Sequence, residues 1–197
     1  MDNGHISQEN YYKISNTWAI SPCLMNHILR IVPKDSSILE LGSGYGSHIL
    51  SQHANMICVE HDNEWIGMFD DIEYIHSPLI DVSDNLRWYD PDILRKELSG
   101  IKYDFLLVDG PPSQDRIGFF KYTDIFLNNI PWCFDDTNRR NIFTKVIDFA
   151  LDNNKKISMP KPDHMLDLSK SSNPLRDVSM ILKKEFSKKK KSHLILI

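Results

Sequence analysis

One short stretch constrains the fold more than any other. The mostly apolar run Ser37-Ile38-Leu39-Glu40-Leu41 breaks straight into Gly42-Ser43-Gly44-Tyr45-Gly46, and Gly46 opens a helical segment reaching Gln52. Such a run reads as a strand buried on both faces, the habit of parallel sheets. Glycines after it let the backbone turn tightly and approach a ligand closely. The helix that follows offers free N–H groups to that ligand.

The same alternation continues along the chain. Further strands are expected at Asn55 to Glu60, Glu73 to His76, Tyr103 to Asp109, Ile130 to Asp135, Lys156 to Met159 and His193 to Ile197. Helices are expected at Asn16 to Ile31, Asn63 to Phe69, Pro91 to Leu98, Asp115 to Asn129 and Thr137 to Leu151. Pro91 suits a first helical turn, with Asp90 as its N-cap. Strands alternating with helices imply a doubly wound α/β fold with right-handed crossovers. A single domain over 1–197 is the reading, with an N-terminal extension over 1–15 and a loop or lid over 160–174, where Pro, Asp, Ser and Lys accumulate.

Two acids give the glycine loop its chemistry. Glu60 ends the second strand about 20 residues on, where doubly wound folds place an acid against ribose hydroxyls. Glu40 lies just before the glycines. A carboxylate there repels a pyrophosphate and attracts an ammonium group, which favours S-adenosylmethionine over NAD or FAD.

With these residues in place, Ile38 to Gly46 resembles motif I of the class I S-adenosylmethionine-dependent methyltransferases. Val59-Glu60-His61-Asp62 resembles their ribose-binding motif, and Tyr103 to Pro112 resembles the fourth motif, beside the active site. The resemblance runs from about Trp18 to Leu151. It implies a mostly parallel seven-stranded sheet in the order 3-2-1-4-5-7-6, the last strand antiparallel, with helices on both faces. It implies that Glu40, Gly42, Ser43, Gly44, Gly46, Glu60, His61 and Asp109 hold the cofactor, with adenine near His76 and Ser77. It also lets the helix beginning at Trp18 fold over the methionine end, although Trp18 reads equally as a packing aromatic.

On the substrate side, Asp109 follows the fourth strand, and Asp135 and Asp136 follow the fifth. Similar spacing in catechol-type and macrocin-type O-methyltransferases implies a catalytic trio, Asp109, Asp135 and Asp136, holding a magnesium ion. Oxygen ligands suit such a hard cation. The same residues read otherwise as a turn and helix caps. The lysine that the catechol-type pattern carries after its fourth-strand acid is absent, leaving Arg116 and Lys121 as substitutes. The expected activity is methyl transfer to oxygen of a small polar or sugar-like acceptor. A nucleic-acid methyltransferase and a non-catalytic cofactor-binding protein are the alternatives.

Composition narrows the partners. A net charge of −4 argues against a broad nucleic-acid surface, and the lysines from Lys183 to Lys191 read as a solvated helix end. No run of about 18 apolar residues spans a membrane, and the N-terminus has no secretory signal. Cys23, Cys58 and Cys133 form no CxxC pair, pointing to a reducing cytoplasm. His27, His48, His53 and His164 show no metal spacing.

Overall fold

The computed structural model describes residues 20–153, 155–160, 165–167 and 194–196. Trp18, the N-terminal extension, His164 and the lysine cluster lie outside the described residues. Helix α1 (Pro22–Ile31) leads into β1 (Ser37–Leu41), α2 (Tyr45–Ser51), β2 (Asn55–Glu60) and β3 (Ile72–His76). A hairpin of β4 (Leu79–Ser83) and β5 (Leu86–Tyr89) follows, then α3 (Pro91–Glu97) and β6 (Phe105–Val108). The remaining elements are β7 (Trp132–Phe134), α4 (Arg140–Asp152), β8 (Ile157–Pro160), β9 (Met165–Asp167) and β10 (Leu194–Leu196).

The main sheet runs β3-β2-β1-β6-β7-β10-β8-β9. Strands β3, β2, β1, β6 and β7 pair in parallel. β10 enters antiparallel between β7 and β8. Its first seven places follow the implied order, but the sheet has eight strands rather than seven. The extra strand, β9, is antiparallel to β8 and lies within the stretch read as a loop or lid.

Strand alternation sorts the core into two layers. Ile38, Met56, Cys58, Phe105 and Leu107 pack with Leu24, Met25 and Ile28 of α1 and Ile49 and Leu50 of α2. Leu39, Leu41, Val59, Leu106 and Val108 face the other way, toward Leu94 of α3 and Val146 and Ile147 of α4. Helices therefore cover both faces. Local signals start them: Ser21 Oγ accepts the Leu24 N–H before Pro22, and Asp90 accepts the N–H groups of Asp92 and Ile93 before Pro91.

Two expected helices are absent. Asn63 to Phe69 is a chain of turns, interrupted by Gly67 in the left-handed region at φ +73°. Asp115 to Asn129 is instead a 3-10 segment, Ser113–Lys121, followed by a short turn of the same kind at Thr123–Ile125. Its apolar residues form no helical stripe, so an α-helix there has no single face to bury. The segment is fixed by side chains. Fully buried Phe119 sets its ring 5.1–5.3 Å from Phe126, Trp132 and Phe134. Gly118 passes so close to Trp88 that a Cβ there would lie 2.9 Å from the indole.

Candidate cofactor-binding site

The residues that close β1, β2 and β6 open onto one cavity of about 390 Å³. Backbone contact sets its floor. Gly42 is left-handed, at φ +103°, and a Cβ on it would lie 3.2 Å from the Gly110 nitrogen. A Cβ on Gly110 would lie 2.9 Å from Gly42. The Gly110 N–H donates to the Leu41 carbonyl, and the Gly42 N–H donates to Val59 at 2.8 Å. Glycine at both positions lets the two loops meet backbone to backbone. Gly46 does the same for helix packing: a Cβ there would touch Ile20 at 3.0 Å.

Two carboxyl groups face this cavity in opposite electrostatic states. Glu40 is only 2% exposed. Burial pushes its pKa up to about 8, despite hydrogen bonds from Ser47 and Cys58, whose Sγ lies 3.6 Å away. Glu60 is also buried, and burial opposes its ionisation. Hydrogen bonds win there. Its Oε1 lies 2.7 Å from His61 Nδ1 and accepts the backbone N–H groups of His61 and Asp62 at 2.6 and 2.9 Å. Ser43 Oγ donates to its Oε2 at 3.1 Å. The net result is a pKa below the ordinary value.

Glu40, Gly42, Ser43, Gly44, Gly46, Glu60, His61 and Asp109 all line the cavity. The other two residues tied to the cofactor do not. His76 is exposed at the end of β3, while Ser77 is buried, its N–H donating to the Glu60 carbonyl at 2.9 Å. After Ser77 the chain turns away into the β4–β5 hairpin. Tyr89, closing that hairpin, lines the cavity, as do Asp62 and Trp65.

The acidic edge also departs from expectation. Asp109 and Asp136 reach the cavity; Asp135 does not and is 1% exposed. The chain turns through a left-handed residue at Asp136, φ +57°, so neighbouring side chains diverge. Between the two acids stands Arg116. Its Nη2 lies 3.2 Å from Asp109 Oδ1 and its Nη1 lies 3.3 Å from Asp136 Oδ2. The guanidinium also donates to the backbone carbonyls of Asp109 and Asp135. Arg139 adds a second contact to Asp136 at 2.9 Å. Burial still raises the Asp109 pKa, against the pull of Arg116.

A guanidinium thus fills the place where a magnesium ion was expected. Among the described residues, no group of three His, Cys, Asp or Glu side chains is placed to hold a metal. These residues do not fit the ion.

Sequence patterns did not mark Tyr89, Trp65 or Arg139, and pointed to Arg116 only as a substitute for the missing lysine. One signal was available. Asp84 and Asn85 form a two-residue turn between Ser83 and Leu86, with Asn85 left-handed at φ +59°, a hairpin mark. The reach of Arg116 to both Asp109 and Asp136 gave none, since pairing across loops has no sequence period.

No protein-family model and no curated protein matches the chain. Solved structures do. A precorrin-6Y C5,15-methyltransferase from Geobacter metallireducens superposes with a TM-score of 0.56 at 8% identity, over 93% of this chain and 91% of that one. The C-terminal domain of the Rhodobacter capsulatus enzyme of the same name gives 0.50 at 8% identity, over 93% and 91%. A precorrin-8w decarboxylase from Methanobacterium thermoautotrophicum gives 0.51 at 11% identity, over 99% and 97%. At such identities the likeness is one of backbone architecture, and by that architecture the chain has the Rossmann-like fold of the class I methyltransferases.

Proposed function

We propose that this chain is an S-adenosylmethionine-dependent methyltransferase acting on oxygen of a small polar or sugar-like acceptor. The observation that carries the reading is Glu40: a buried carboxyl at the wall of a glycine-lined cavity, its pKa pushed up to about 8 by burial, so that its ionisation calls for a cation beside it. An amino-acid ammonium supplies that cation, and a pyrophosphate does not. Glu60, its pKa lowered and its first oxygen fixed by two backbone N–H groups, can share its second oxygen between Ser43 and ribose hydroxyls. Ser43, Gly44 and Gly46 leave room at the start of α2, and His61, Asp62 and Trp65 form the wall beyond Glu60.

When bound, the cofactor supplies an electrophilic methyl group. The chain's own part is positioning. Asp109 stands at the end of β6 facing the cavity, where its carboxyl accepts a hydrogen bond from the acceptor hydroxyl. Arg116 holds Asp109 and Asp136 together without a metal. Arg139, at the rim, orients the acceptor's polar groups through Asp136.

Titration calorimetry tests the reading directly. S-adenosylhomocysteine should bind and NAD should not. Binding of NAD with no binding of S-adenosylhomocysteine overturns it. Given an acceptor, Asp109→Asn should abolish transfer and leave cofactor affinity nearly intact.

A further inference from the structure

Tyr89 closes β5 with its side chain fully buried, yet it lines the cavity. Its ring is held edge-on by Trp88 at 5.1 Å and by His61 at 6.2 Å. The hydroxyl lies over Gly110, so close that a Cβ at that position would clash with the phenolic oxygen. Gly110 therefore admits the phenol as well as the Gly42 loop. Despite this confinement, the hydroxyl has no hydrogen-bond partner among the described residues. A buried hydroxyl without a partner costs stability that a phenylalanine of the same shape would not. Burial and the nearby Glu60 carboxylate both push the phenol's pKa up, so the group stays a donor across the physiological range.

We propose that the Tyr89 hydroxyl is a ligand-binding group, donating a hydrogen bond to an acceptor atom in the nucleoside half of the bound cofactor. The proposal rests on the reading of the cavity as an S-adenosylmethionine site. The nucleoside half follows from position: Tyr89 packs on His61, the residue after Glu60, and Glu60 is the carboxylate that most influences its hydroxyl. The β4–β5 hairpin thereby delivers this one side chain to the wall that His76 and Ser77 leave uncovered.

The test uses the full chain, Tyr89→Phe, and two probes: S-adenosylhomocysteine and 5′-methylthioadenosine, which lacks the amino-acid half. The ligand-free variant should melt at or above the wild-type temperature, because an unpaired hydroxyl has been removed. Its dissociation constants for both probes should rise together, by about tenfold. If the wild type binds neither probe, the cofactor reading fails and this inference falls with it. Where the wild type binds both and the variant matches it, the role of Tyr89 alone is overturned. A loss confined to S-adenosylhomocysteine assigns the contact to the amino-acid half and rejects the proposal as stated. A lower melting temperature for the ligand-free variant means that the hydroxyl already has a partner, and also rejects it.

Discussion

The two halves of the cavity are built by different rules. The half made by β1, α2 and β2 is local: Glu60 is bonded by the next two residues of its own chain and by Ser43, from the neighbouring glycine loop. The half made by β6 and β7 is assembled at a distance. Arg116 leaves a 3-10 segment to bridge Asp109 and Asp136, which end different strands. In the first half, orphan N–H groups at strand ends stabilise charge. In the second, one buried cation does so, and everything depends on the segment that carries it. A site can therefore be half written in contiguous motifs and half dependent on packing.

The largest effect should come from Arg116→Ala, which leaves two acids at the cavity without their shared counter-charge. Breaking a buried ion pair by removing one partner costs about 3–5 kcal/mol, measurable by urea denaturation. A loss under about 1 kcal/mol would mean that the acidic edge is as self-sufficient as the local half. Next comes Glu60→Ala. Hydrogen bonds to a charged group are worth about 1.5–3 kcal/mol, so S-adenosylhomocysteine affinity should fall about tenfold to a hundredfold. Unchanged affinity in a folded variant would remove Glu60 from the site.

A pH titration sharpens the contrast between the two glutamates. Glu40 has a folded pKa of about 8 against 4.5 in the unfolded chain. Its contribution to stability is fully present below pH 4.5 and is lost as pH rises toward 8. The slope is at most about 1.4 kcal/mol per pH unit. Glu60, with its pKa lowered, contributes in the opposite sense: present above its unfolded value and lost on acidification. Glu40→Gln should therefore flatten the decline in ligand-free melting temperature between pH 6 and pH 7 and weaken cofactor binding. A curve as steep as wild type would assign the slope to other groups. The smallest effect should come from magnesium. With Arg116 between the acids, neither magnesium nor EDTA should move the melting temperature. A clear magnesium-induced rise would show that the acids release the arginine and take the ion.

The strand order was implied only by the family resemblance. The residues by themselves determined the buried strands β1 and β2, the glycine turn after β1, and the placing of Glu40 and Glu60 beside it. Those follow from properties carried by adjacent residues: apolar runs that must be buried on both faces, glycines where a left-handed turn and close backbone approach are needed, and acids at strand ends. Strands β1 and β2 begin and end where their residue pattern places them. Tertiary structure alone decided what stands opposite those motifs. The stretch from Ser113 to Lys121 reads as a helix until Phe119 and Gly118 pin it among aromatic rings. Only then does Arg116 reach both acids, displacing the expected metal. Tyr89 reaches the cavity because a hairpin carries it there and Gly110 leaves space for its hydroxyl. Periodicity records which face of an element is buried; it does not record which charge or hydroxyl a distant loop will bring to meet it.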